Sequence, residues 1–249
     1  MISIGDLALL DLAETYAIFF LASCLQGLTG FGFGMVTMAL LPFLMSARSA
    51  SILVAVLVLF NTGYLTWRQR AHVDWRIVGQ LFVGSIVGVP LGVHILRVFP
   101  ESGLKRLIGA GILLYSAYYT WQTFSQREPR KEWPKWTRLP IGFVAGILGG
   151  AVNVAGPPVI LYFYSQPWDP NRIRALLVAY FFTLTAMKNV LMFAGGMVPT
   201  STLLYVGILP LIWIGSRFGL YVGQRIEPFW FRRLVIVALT VLGLLLMRG

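Results

Sequence analysis

One cysteine, Cys24, and two histidines, His72 and His94, are all the thiol and imidazole chemistry that a chain of 249 residues contains. An intrachain disulfide and a cysteine-built metal cage are therefore excluded, and Cys24 reads as a small buried apolar residue. Acidic residues are also scarce, nine against twenty basic ones, and none stands deep inside an apolar run. Charge of either sign makes up only 12% of the chain, while 57% is hydrophobic. That balance excludes an ordinary water-soluble domain, so the solvent for most of the surface must be lipid. The N-terminal stretch carries Asp6, Asp11 and Glu14 but no Lys or Arg. It lacks the basic start of a cleavable signal peptide and is expected to stay on the mature protein.

What the sequence has in abundance is long apolar runs. A helix needs roughly 20 mostly apolar residues to cross a hydrocarbon core of about 30 Å. Eight such runs are expected, over residues 14–44, 49–67, 75–97, 103–122, 138–165, 172–195, 200–224 and 228–248. The net charge of +11 would suit a nucleic-acid partner, yet the cations stand in short clusters between the runs. Arg68, Arg70 and Arg76 flank one run, and Arg127, Arg130, Lys131, Lys135 and Arg138 fill a linker. Such clusters orient membrane proteins rather than grip a polyanion. Trp67, Trp75, Trp121, Trp133, Trp136, Trp168 and Trp230 lie near the ends of runs, at the level of lipid headgroups.

The polar stretch near the middle divides the chain into a first transmembrane repeat (1–124), a basic loop (125–137) and a second repeat (138–249). The expected fold is an all-α polytopic membrane protein of two pseudo-symmetric halves. Each half opens with a segment too long for one crossing and broken by glycine or proline, either a broken helix or a re-entrant hairpin. A shift of about 127 positions lays Gly88, Gly92, Lys105, Arg106 and Leu107 on Gly215, Gly219, Arg232, Arg233 and Leu234. If the opening segments dip in and return, each half has an odd number of crossings and the halves are inverted. Most loop cations then fall on one side, whereas eight simple crossings split them evenly. The positive-inside rule favours inversion, with the linker cytoplasmic. The matched pairs Lys105/Arg106 and Arg232/Arg233 would then lie on opposite faces, which counts against it.

Two cations stand well inside runs: Lys188 in TLTAMKNVLMF and Arg217 in LIWIGSRFGLYV. An intramembrane charge costs at least about 2.5 to 3.5 kcal/mol, so a cation without an acidic partner suggests an anionic substrate as its complement. Snorkelling to the headgroups is the alternative for both. The breaks are the other candidate site. A half-helix pointing its N-terminus inward offers free N–H groups and a positive dipole end, and glycine lets the backbone approach a ligand. Gln26, Thr29, Thr37, Gly30 and Gly32 belong to the first break, and Asn153, Gly156 and Pro157 to the second. Asn61 and Asn189 stand at matching places one segment later. Tight helix packing is the competing explanation for the glycines.

The stretches QGLTGFGFG, from Gln26 to Gly34, and GILGGAVNVAGPPVILY, from Gly146 to Tyr162, carry a resemblance. They resemble the two signatures of the TauE/SafE family of sulfite and organosulfonate permeases, also called the toluene-sulfonate uptake permease family. The resemblance extends over essentially the whole chain. It implies anion transport across the inner membrane, with sulfite, sulfoacetate, sulfolactate and related compounds as cargo. The second signature departs from many members in reading GGAVNVAGPP, which puts Asn153 where others carry more glycine or a hydroxyl residue.

The expected function is export of a small sulfur oxyanion held between the two breaks, with rocking of the halves giving alternating access. Efflux is favoured because each negative charge leaving a negative interior gains about 2.3 kcal/mol per 100 mV. His94 and Glu14 are the only candidates for proton coupling, and His94 reads as structural. A membrane enzyme would need a nucleophile with a base, or a metal constellation, and the sequence offers neither. A channel for another small solute and a non-transporting subunit are the remaining alternatives. Expected partners are a small anion and membrane lipid, with a homodimer compatible and no nucleic acid. No cofactor and no metal are expected.

Overall fold

Polar side chains set where the helices begin. Ser46, Asp74 and Asp169 each accept a backbone N–H from the first turn that follows them, satisfying donors that a helix leaves open at its start. The computed structural model describes residues 9–125, 132–223 and 229–248. The N-terminal Asp6, the linker cations Arg127, Arg130 and Lys131, and Arg225 lie outside the described residues. Among the described residues ten α-helices follow in order: α1 (Leu9–Thr29), α2 (Phe33–Leu40), α3 (Ala47–Gln69), α4 (Trp75–Val98), α5 (Glu101–Ser125), α6 (Arg138–Val152), α7 (Gly156–Tyr164), α8 (Pro170–Ala194), α9 (Leu209–Gly223) and α10 (Phe229–Arg248). Among the described residues four helical stretches are long and apolar enough to cross a membrane: Ala47–His72, Trp75–Val98, Pro170–Ala194 and Tyr205–Gly223. Their outward faces carry Val83, Val87, Val190, Phe193, Ile214 and Phe218 in exposed positions, the surface that lipid, not water, can cover.

The two opening segments fold back on themselves. Phe33, at the start of α2, packs on Phe19 of α1 with ring centroids 5.8 Å apart. A straight helix would separate residues fourteen apart by about 21 Å. In the second segment the chain leaves Arg138 along α6, turns at Asn153 and returns along α7, so that the Arg138 Nε donates to the Tyr162 hydroxyl at 2.7 Å. Both segments are hairpins. Their bases lie at opposite ends of α3. The first hairpin runs directly into the start of α3, while the base of the second sits beside the start of α4, where Arg138 also donates to Gln80.

Each hairpin packs mainly on a helix of the other half. A Cβ on Gly84, Gly88 or Gly92 of α4 would come within 2.1 to 2.3 Å of a backbone oxygen of α6. Gly219 of α9 stands equally close to the Cys24 carbonyl of α1. Here small residues let backbones touch, as membrane helices require in the absence of a hydrophobic force between them. This packing accounts for Gly27, Gly146 and Gly150, which also meet neighbouring backbone. It does not account for Gly30 and Gly32, whose φ angles of 84° and 102° are turn conformations open to glycine.

Candidate functional site

The two turns meet. A Cβ on Gly34 of α2 would come within 2.2 Å of the Asn153 carbonyl oxygen, so the tip of one hairpin rests on the tip of the other. Around this contact lies a cavity of about 40 Å³ lined by Gln26, Gly32, Gly34, Asn153, Gly156 and Thr185, with Phe33, Met35, Val58, Phe181 and Leu184 closing it. A single water needs roughly 10 to 15 Å³, so this is space for an ion of a few heavy atoms. A larger cavity of about 530 Å³ between α1, α2, α9 and α10 is lined by aliphatic and aromatic side chains with Cys24 and Gly219. It has nothing to hold an anion.

The polar equipment of the small cavity is unequal on its two sides. From α2 come the first-turn N–H groups of Phe33, Gly34 and Met35, which have no carbonyl four residues earlier in the helix to bond. The start of α7 offers only the Gly156 N–H, because Pro157 and Pro158 have none. Two equivalent helix ends are thus not what the geometry provides. Pro157 is buried and presets the first turn of α7 instead of lining the cavity.

Asn153 holds the second turn. Its φ of 57° is left-handed, and it is the one non-glycine residue with positive φ among those described. Asparagine tolerates that conformation better than most residues. Its Nδ2 donates to the Ser51 carbonyl at 2.8 Å and to Ser51 Oγ at 3.1 Å, while its Oδ1 accepts from Lys188 Nζ at 2.9 Å. Lys188 is wholly buried and also donates to Ser51 Oγ at 3.0 Å and the Gly149 carbonyl at 3.2 Å. It does not snorkel. Ser51 in turn donates to the Ala151 carbonyl, so a serine that the sequence did not single out sits at the centre of the network.

Gln26 and Asn61 form a corresponding pair in the first half. Asn61 Nδ2 donates to Gln26 Oε1 at 2.7 Å, and the Ser216 hydroxyl donates to Asn61 Oδ1. The shift of about 127 positions that matches Gly88 to Gly215 also lays Gln26 on Asn153 and Asn61 on Lys188. Asn61 is therefore matched in its bonding by Lys188, not by Asn189. Asn189 donates to the Ala55 and Thr185 carbonyls and stays outside the cavity.

Other expected site residues are placed elsewhere. Thr29 donates to the Leu25 and Phe31 carbonyls, closing its own turn, and Thr37 bonds within α2. Gly30 lies against the Arg174 backbone at the far side of the first tip. Arg217 is exposed on α9 with its guanidinium 5.3 Å from the centre of the Trp213 ring, the snorkelling alternative rather than a cation facing the cavity. His94 and Glu14 are exposed and do not line the cavity.

Comparison with known proteins gives one consistent result. The family model described as Sulfite exporter TauE/SafE matches residues 15–246. The chain is 28% identical over 248 residues to a protein of Cupriavidus necator named probable sulfite/organosulfonate exporter TauE, covering 96% of this chain and 94% of that one. It is 25% identical over 240 residues to a Bacillus subtilis protein named probable membrane transporter protein YjnA, covering 86% and 92%. No solved structure matches.

Proposed function

Since this chain belongs to the TauE/SafE family of sulfite exporters, and is thus a multi-pass membrane transporter and not an enzyme, we propose that its cargo is a small sulfur oxyanion, sulfite or a short organosulfonate, exported across the inner membrane. The relative from Cupriavidus necator carries that substrate class in its name. The observation that carries the reading is the cavity at the meeting of the hairpins, a space for a few heavy atoms lined by the first-turn residues of α2, whose N–H groups have no carbonyl within the helix, and by Gln26 and Asn153. Backbone donors at a helix N-terminus favour an oxyanion without needing a charged side chain. Lys188 adds a positive charge one hydrogen bond behind Asn153. At a separation of roughly 6 Å and an effective dielectric near 20, a unit charge contributes about 3 kcal/mol to holding an anion.

Inverted halves fit this reading. The hairpin bases lie at opposite ends of α3, as dipping segments entered from opposite sides require. Arg172 pairs with Asp74 at 3.1 Å, and Arg70 lies over Trp67 while Arg172 lies over Trp168. These contacts gather Arg68, Arg70, Arg76, Arg138 and Arg172 at one end of the bundle, the end that the positive-inside rule assigns to the cytoplasm. Alternating access then carries the anion from the second hairpin's side to the first's.

The test is sulfite and sulfoacetate flux from proteoliposomes with and without an imposed potential. Efflux that accelerates when the interior is made negative supports the reading. Correctly folded protein that moves no sulfur oxyanion at all sinks it.

A further inference from the structure

An ammonium group has three N–H donors, and the fold supplies three oxygens for Lys188: Ser51 Oγ at 3.0 Å, the Gly149 carbonyl at 3.2 Å and Asn153 Oδ1 at 2.9 Å. All three are neutral. The Gly149 carbonyl belongs to the last turn of α6, the negative end of that helix. A carbonyl from a half-helix C-terminus, with hydroxyl and amide oxygens beside it, is the kind of ligand set with which transporters hold a dissolved coupling cation. We propose that Ser51 Oγ, Gly149 O and Asn153 Oδ1 form a monovalent-cation site that this protein fills permanently with the tethered ammonium of Lys188.

Burial supports this assignment. The lysine has no exposed surface, although its place near the end of α8 would let a long side chain reach the headgroups. The first half supplies an internal control. There the corresponding contact is a neutral amide, Asn61 Nδ2 on Gln26 Oε1 at 2.7 Å, backed by the Ser216 hydroxyl. Holding a hairpin tip in this fold therefore does not itself demand a cation. The charge at Lys188 answers to the oxygens around it and to the anion cavity that Asn153 and Gly149 also line. The proposal rests on the anion-transport reading for the purpose of the charge, but the cation site can be examined without any substrate.

Lys188→Ala leaves the three oxygens around an amine-sized void. The purified variant and parent are melted in choline, methylammonium and tetramethylammonium chloride at equal ionic strength. Methylammonium brings three N–H donors, and tetramethylammonium brings the charge without any. The expected result is a lowered Tm for the variant in choline, with about half of the loss or more recovered by methylammonium through binding to the native state. Tetramethylammonium recovers none, and the parent is indifferent to all three salts. Equal melting of the variant in methylammonium and tetramethylammonium overturns the proposal. So does a parent Tm that depends on which cation is present. If Lys188→Ala does not fold, Lys188→Gln, which keeps N–H donors and loses the charge, decides the matter in proteoliposomes. A Tm below the parent's is expected, with sulfite flux reduced about tenfold or more, and a Tm equal to the parent's overturns the proposal. A parent that carries no sulfite defeats the transport reading, while the melting series still decides the cation site.

Discussion

Gly34 and Asn153, from the two hairpins, meet with no room for a side chain between them: a methyl on residue 34 would lie 2.2 Å from the Asn153 carbonyl oxygen. Gly34→Ala must therefore push the tips apart. Overpacking of this kind costs about 1 to 3 kcal/mol, so the variant is expected to melt lower than the parent and to lose most of its flux, because the cavity wall itself moves. Thermal unfolding and flux on the same preparation check it. A variant with the parent's Tm and flux would show that the tips are not in contact during the working cycle.

Asn153 contributes both a conformation and a set of bonds, and two substitutions separate them. Asn153→Gly frees the left-handed backbone but removes the bonds to Ser51 and Lys188. Asn153→Ala removes the same bonds and adds roughly 1 to 2 kcal/mol of left-handed strain. Alanine is expected to be the less stable of the two, with flux severely reduced in both. Equal stability would mean that the turn relaxes to another conformation once the side chain is gone.

Gln26 offers a test by charge. Its Oε1 already accepts from Asn61, so Gln26→Glu keeps the acceptor and places a negative charge on the cavity wall. The apparent KM for an anion is expected to rise roughly tenfold, equivalent to about 1.4 kcal/mol, with more effect at low ionic strength than at high. Initial-rate measurements over a range of sulfite concentrations give the answer. An unchanged KM would remove Gln26 from the site.

Arg217 supplies the opposite expectation. It stands outside the bundle beside Trp213, so Arg217→Gln is expected to leave sulfite flux within about twofold of the parent, surface changes of this kind being worth little. A collapse of flux in a folded Arg217→Gln protein would mean that the anion path runs along α9 and not between the hairpin tips.

Lys188 and Arg217 also mark how far the sequence alone could be read. Both stand inside apolar runs without an acidic neighbour, yet one is sealed inside and the other faces outward. The distinguishing signal is helical spacing. Gly215, Ser216 and Gly219 make the buried small-residue face of α9, and Arg217 shares the opposite face with Trp213 and Tyr221, four residues away on either side. The breaks were legible because glycine and proline crowd within segments too long for one crossing, whereas the spaced Gly84, Gly88, Pro90 and Gly92 leave α4 unbroken. The direction in which the chain leaves a break was not, since that depends on distant partners such as Phe19 for Phe33 and Arg138 for Tyr162. Ser51 gave no warning, because one serine in the early turns of an apolar helix is indistinguishable from an ordinary start-of-helix residue. The glycines that let backbones touch and those that turn the chain likewise look alike in text and differ only in φ.

The glycine seams between α4 and α6, and between α1 and α9, join opposite halves of the sequence. A rigid rotation of one half against the other would tear both seams, where backbone meets backbone and no side chain can slide. If the proposed alternating access operates, the bodies that can move without tearing a seam are mixed ones, α1, α2 and α9 against α4, α6 and α7. On the proposed transport reading the parting line between them passes where Gly34 meets Asn153, so that opening the bundle and releasing the anion would be the same event.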